Sequence, residues 1–274
     1  MVYAAPTSVS FRPQPRGLTG GAFGALVLFA ASGCQQGGDG AENVNTSEAS
    51  LSPHSTPGRP THEAGSKGSQ AELAEAFRAA FGKSGSATIT DHPGGTTYRY
   101  MPAMLVETKF GPVLLSDGEA VDFGAQTEGR IAAHYLTRRN DTFSIKKADL
   151  KFVQTGMHGA VNHFYVSDKF VDGKVLYAAG SGTSAGDTCA WATLTELDES
   201  GPKNLGTIYL HHDNEGSEED GSKVISTTGE IANIRKGQSF DVIYKGSFPF
   251  VAHYIFSDGQ FIRQNRNGKM ESCS

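Results

Sequence analysis

Residues 180–191 read GSGTSAGDTCAW, and within them Gly182-Thr183-Ser184-Ala185-Gly186 spells G-x-S-x-G. That spacing belongs to the nucleophile elbow of serine hydrolases, where a strained turn between a buried strand and a helix lifts the serine hydroxyl clear of the backbone. Catalysis by Ser184 would need a general base and an acid, and His211, His212, His253 and Asp213 are the candidates for those roles. The flanks decide against an elbow. KVLYAA before the motif is strand-like, as required, but DTCAWATLTEL after it is β-branched and alternating, a poor helix. The glycines therefore read first as turn geometry between two strands, with a nucleophilic Ser184 as the alternative.

A second concentration of chemistry is HHDNEGSEEDGSK, residues 211–223. Asp213, Asn214, Glu215, Glu218, Glu219 and Asp220 supply the hard oxygen donors that calcium takes six to eight at a time. Gly216 comes too early for the calcium-loop pattern D-x-[DN]-x-[DN]-G-x5-E, and His211 and His212 would suit a transition metal instead. The competing reading is a solvated hairpin loop without a cofactor. Three further histidines precede aromatics within strand-like segments: His134 in AAHYL, His163 in NHFYV and His253 in AHYIF. Convergence on one face would build a three-histidine zinc site with an open fourth position. No short-range spacing supports it, and hydrogen-bonded strand histidines are the simpler expectation. His158 and His163, five apart, would face opposite ways if one strand held both. Arg138, Arg139, Lys146, Lys147 and Lys151 flank an Asn140-Asp141 turn and could offer a positive patch to an anionic glycan or acidic partner. Otherwise they guard a sheet edge.

The N-terminus carries an address. Arg12 and Arg16 precede the apolar run LTGGAFGALVLFAA, residues 18–31, which is short and rich in Gly and Ala, as in the h-region of a signal peptide. It ends in AASGC, so that small residues lead directly to Cys34. This resembles the lipobox of bacterial lipoproteins. The resemblance covers residues 1–34 and implies diacylglycerol on the Cys34 sulfur, cleavage before Cys34 and acylation of the new amino group. Several acyl chains exceed the two signals that stable anchoring requires. Gln35 stands where the resemblance would place Asp for inner-membrane retention, which implies the outer membrane. From Gln35 to Gly68 the chain is dominated by Gly, Ser, Thr, Pro, Asn and Glu and offers almost nothing to a core. Such a segment is expected to be a disordered tether with a reach of about 30 Å. In an oxidising compartment the two remaining cysteines, Cys189 and Cys273, are expected to pair. The bridge would close a long loop, worth up to about 4–5 kcal/mol by the chain-entropy model.

Around these residues the elements are legible. Ser69 can cap a helix over QAELAEAFRAAFGK, in which Leu73, Phe77 and Phe81 share one face beside Ala76 and Ala80. The rest reads as short strands rich in Val, Ile, Tyr, Phe and Thr, among them TYRYMPAMLVET, TFSIKK, LKFVQ, KVISTT and SFDVIYKG. Asp-Gly pairs at Asp117-Gly118, Asp172-Gly173 and Asp258-Gly259 are hairpin signals. The expected fold is mainly β: an antiparallel, two-sheet, sandwich-like domain with one N-terminal helix. Residues 1–33 would be the signal peptide, 34–69 the lipid-anchored linker and 70–274 the globular domain. With 24 basic and 29 acidic residues the net charge is −5, which argues against nonspecific nucleic-acid binding. GPVLLSDGEAVDFGAQTEGRIAAHYL and GDTCAWATLTEL resemble segments of uncharacterised exported proteobacterial proteins, a likeness that implies export and no activity. The functional expectation is an outer-membrane-anchored periplasmic lipoprotein that binds an envelope protein or glycan. The alternative is an exported hydrolase using Ser184 or a histidine-based metal site.

Overall fold

In a computed structural model the described residues are 69–264, apart from Asp141 and 216–223, together with Met270. Among these residues a single helix, α1 (Gln70–Phe81), precedes thirteen strands. Ser69 accepts a hydrogen bond from the Glu72 backbone N–H at 3.2 Å while the Glu72 carboxylate accepts one from the Ser69 N–H at 2.9 Å, a closed capping box. Gly82 ends the helix in the left-handed conformation, φ 69°, donating to the Arg78 carbonyl.

Strands β1 (Ala87–Thr90), β2 (Thr97–Thr108), β3 (Gly111–Ala120), β4 (Gly129–Arg139) and β5 (Thr142–Thr155) form a five-stranded antiparallel sheet in sequence order. Eight more make a second antiparallel sheet, also in sequence order: β6 (His163–Ser167), β7 (Val175–Ser184), β8 (Asp187–Asp198), β9 (Gly201–Asp213), β10 (Ser226–Arg235), β11 (Ser239–Gly246), β12 (Phe250–Ser257) and β13 (Gln260–Arg263). The architecture of the described residues is thus mainly β with two antiparallel sheets and one helix, as the pattern of strand, turn and helix signals predicts. At its far end the larger sheet curls, bringing β13 back to β9. The Gln260 amide reaches the Asn204 carbonyl there, and Phe240, Phe261, Phe170 and Tyr244 fill the curl.

The centre of the smaller sheet is buried on both faces, which is why β4 is an almost unbroken buried run. On one side α1 lays Ala76 and Phe77 on Tyr98, Tyr100, Leu105, Leu114, Ala132 and Leu136. Full burial of a side chain such as Phe77 stabilises by about 1.5–3 kcal/mol. On the other side Val113, Leu115, Ile131, Ala133 and Tyr135 meet Phe164, Leu176, Ala178 and Leu197 of the larger sheet. A bulge between Pro102 and Met104 swaps the facing of β2, so Tyr100 looks to the helix and Met104 to the second sheet. Pro102 sits at that bulge, where a missing N–H is tolerated.

Three expectations about turns and strands are corrected. Asp117-Gly118 makes no hairpin: it lies inside β3, where Gly118 leaves room for the Tyr100 ring. TFSIKK and LKFVQ, which read as two strands, are one strand, β5, whose pairing with β4 shifts register twice. β10 runs on through Gly229 to Arg235, beyond the predicted KVISTT. Asp258-Gly259 does form a two-residue hairpin, with both residues at positive φ.

Candidate functional site

The β5–β6 connection carries the chain from one sheet to the other, and local chemistry fixes its path. Gly180 and Gly182 lie beneath it. A Cβ at Gly180 would collide with the Gly156 backbone and the Thr155 hydroxyl, and one at Gly182 with the Met157 side chain. The Trp191 indole N–H donates to Thr155 Oγ1 at 2.8 Å, tying β8 to the end of β5. Asn162 extends the pairing beyond β6: its side chain exchanges hydrogen bonds with the Ser181 hydroxyl and N–H, at 2.7 and 3.1 Å.

The same connection is zipped to the loop after β3. The Ala120 N–H donates to the Gly159 carbonyl (2.8 Å), the Gly159 N–H to Thr127 (2.7 Å) and the His158 N–H to Ala125 (3.3 Å). The backbone adopts φ 55° at His158 and φ 76° at Gly159; for a non-glycine residue such as His158 this left-handed conformation is disfavoured. A Cβ at Gly159 would stand 2.7 Å from that of Ala120 and 3.1 Å from the Phe123 ring. The bare glycine thereby gives Phe123 a backbone to lie on.

These two loops and the β2–β3 pair enclose an open pocket of about 390 Å³. Ala120, Val121, Phe123 and Ala160 supply its apolar wall, while Arg99, Glu119 and His158 supply the polar one. Phe123 is 53% and Val121 49% exposed, although their neighbours in β3 are buried. Arg99 and Glu119 face each other across the β2–β3 ladder and pair at 2.8 Å. Phe123 meets the His158 ring edge-on, at 6.5 Å and 72°. The volume falls within the lower part of the range usual for small-ligand sites.

The motif residues lie elsewhere. Ser184 is the exposed last residue of β7, pairs with Asp187, and is followed by a two-residue turn with Ala185 at φ 51° and Gly186 at φ 89°. Strand β8 follows, where an elbow has a helix. Among the described residues Ser184 makes no hydrogen bond to a histidine. His212 Nε2 instead approaches Asp187 at 3.8 Å, and His211 Nδ1 pairs with the Thr228 hydroxyl at 3.2 Å. His253 lies on β12, five strands along the sheet from Ser184 on β7.

Of the calcium candidates, Glu218, Glu219 and Asp220 lie outside the described residues. Two of the described ones already have partners: Asp213 accepts from the Glu215 N–H, and Asn214 Oδ1 accepts from the Ile225 N–H at 2.6 Å. Hydrogen bonding to Glu215 and Ser226 lowers the Asp213 carboxyl. No described group of three His, Cys, Asp or Glu side chains is arranged to hold a metal ion.

The three strand histidines do not converge. His134 is buried on β4 against the Phe81 ring, at 4.7 Å; His163 lies on edge strand β6; His253 Nδ1 pairs with Asp241 Oδ1 at 2.6 Å. His158 is in the crossover loop, so the one-strand comparison with His163 does not apply. The basic group is largely committed internally. Arg138 pairs with Glu107 and Glu72, Lys151 with Asp91, and Lys146 and Lys147 donate to the Phe110 and Ser200 carbonyls. Cys189 is buried on β8, whereas Cys34 and Cys273 lie outside the described residues.

Sequence reasoning missed two polar constellations. Arg130, 5% exposed, grips Asp91 through two hydrogen bonds of 2.5 and 2.6 Å, with its guanidinium 3.7 Å over the Tyr98 ring. The hydrogen bonds from Arg130 hold the Asp91 carboxyl down at about 2. On the outer face of the larger sheet, Asn233 (φ 52°, at a bulge) donates to Asp241, which also holds His253. No short-range pattern announces either set, because tertiary packing brings Arg130 of β4 to Asp91 of the β1–β2 turn, and register brings His253 to Asp241. No family model, no curated protein and no solved structure matches this chain. Among the described residues no helix is long and apolar enough to cross a membrane.

Proposed function

We propose that this chain is an outer-membrane-anchored periplasmic lipoprotein whose β domain is a binding module for an envelope partner. The observation that carries the binding reading is the open pocket walled by Phe123 and Val121 on one side and the Arg99–Glu119 pair and His158 on the other. The lipobox-like AASGC ending at Cys34 supports the address, and the polar stretch up to Ser69 gives the domain its reach. A Cys189–Cys273 disulfide belongs to the same proposal, since an exported domain meets an oxidising compartment.

Radiolabelled palmitate is expected to enter the expressed protein and to be lost in Cys34→Ala; labelling that persists in that variant refutes the anchor. A fluorophosphonate probe is expected to leave the purified protein unlabelled, and labelling abolished by Ser184→Ala would replace the binding module with a hydrolase. Reduction is expected to raise the intact mass by two hydrogen atoms, with a peptide linking Cys189 to Cys273 after digestion of the unreduced protein.

A further inference from the structure

We infer that the pocket between the β3–β4 and β5–β6 loops takes a neutral sugar ring of a glycan, a reading that rests on the domain being a binding module. Phe123 is the first reason. Its ring is more than half exposed, yet it is seated on Gly159 and flanked edge-on by His158. An aromatic side chain held in one place with its surface open to water is the form a recognition anchor takes.

The polar wall selects the ligand class. Arg99 and Glu119 form a pair of zero net charge in which guanidinium N–H donors that have no other partner among the described residues stand beside a carboxylate acceptor. An anionic ligand would meet Glu119, and a cationic one would meet Arg99. A neutral, purely apolar ligand would desolvate the pair and return no hydrogen bond. Adjacent hydroxyls of a pyranose both donate and accept, so they satisfy the two side chains together. The C–H face of the same ring lies on Phe123, with Val121 and Ala160 beside it. The pocket is open to solvent, which leaves room for a chain to continue from the bound ring.

The test is a titration of the folded, uniformly 15N-labelled protein with triacetylchitotriose, with maltotriose, and with sodium benzoate as an aromatic anion. At least one trisaccharide is expected to give saturable shifts centred on the amides of Arg99, Glu119, Phe123 and Gly159. Phe123→Ala and Glu119→Ala are both surface changes and are expected to keep the remaining spectrum in place. Each should weaken that binding about tenfold or more. Silence with both sugars, shifts unchanged in Phe123→Ala, or saturable binding of benzoate alone each overturns the sugar assignment. Palmitate labelling at Cys34 reads the anchor independently. A silent titration with labelling intact removes the sugar and leaves the anchored module, and the converse result removes the anchor and leaves the sugar.

Discussion

His134 lies on the helix side of β4, opposite Leu114 and Ala148 in the neighbouring strands and beneath the Phe81 ring, with its Nδ1 lacking a hydrogen-bond partner among the described residues. No carboxylate faces it from β4, where Arg130 and Arg138 occupy the same side of the strand. Burial alone pushes its imidazole down from 6.5 to about 4. The unfolded chain therefore binds a proton that the folded one refuses, and stability falls as pH drops through that window, by about 3 kcal/mol when complete. Asp91 acts in a different range: its carboxyl is held below the ordinary value, so its contribution survives to about pH 4 and is lost toward pH 2. Urea midpoints at pH 7 and pH 4.5 should differ clearly in the native chain and much less in His134→Leu. Equal midpoints in the native chain would contradict the burial argument. At this scale the sequence identifies His134 as a strand histidine next to an aromatic. That the neighbour deciding its chemistry is Phe81, from a helix far away in sequence, comes only from tertiary packing.

At the scale of elements the strands were legible because β-branched and aromatic residues alternate between turn residues, and β2 and β11 span the predicted segments from end to end. The failures share a physical cause. Gly118 and Gly229 resemble breaks, but each sits within a strand where a cross-strand tyrosine ring, Tyr100 or Tyr244, occupies the space of the absent Cβ. The glycines of GSGTSAG have a comparable role: Gly180 and Gly182 admit the crossover, and only Gly186 serves the turn. Two substitutions separate these roles. Gly182→Ala is expected to destabilise by about 1–3 kcal/mol through overpacking against Met157, and Met157→Ala should recover much of that loss. Gly180→Ala meets backbone rather than a flexible side chain, so Met157→Ala should not rescue it. A double-mutant cycle by urea denaturation reads both, and additivity of Gly182→Ala with Met157→Ala would contradict the contact.

For the molecule as a whole, the coupling of the two sheets has a built-in reporter. Trp191, the only tryptophan, belongs to the larger sheet and donates to Thr155 at the end of the smaller one. Because one core is shared between the sheets, fluorescence and far-ultraviolet circular dichroism are expected to give coincident unfolding midpoints. Thr155→Val should lower both midpoints together, through a stability loss of about 1–3 kcal/mol from the unsatisfied indole N–H. The pocket was not legible in the sequence for the same reason that the sheets are coupled. Its parts, near residues 99, 119–123 and 158–160, meet only through a strand register and a crossover. The pairing order of both sheets has a further consequence. Every strand is hydrogen-bonded to its immediate predecessor, its immediate successor or both, so a chain emerging from the ribosome N-terminus first never holds a strand in reserve for a distant mate. The one debt left open during synthesis is the inner face of the first sheet, which waits uncovered until β6, β7 and β8 have followed it out.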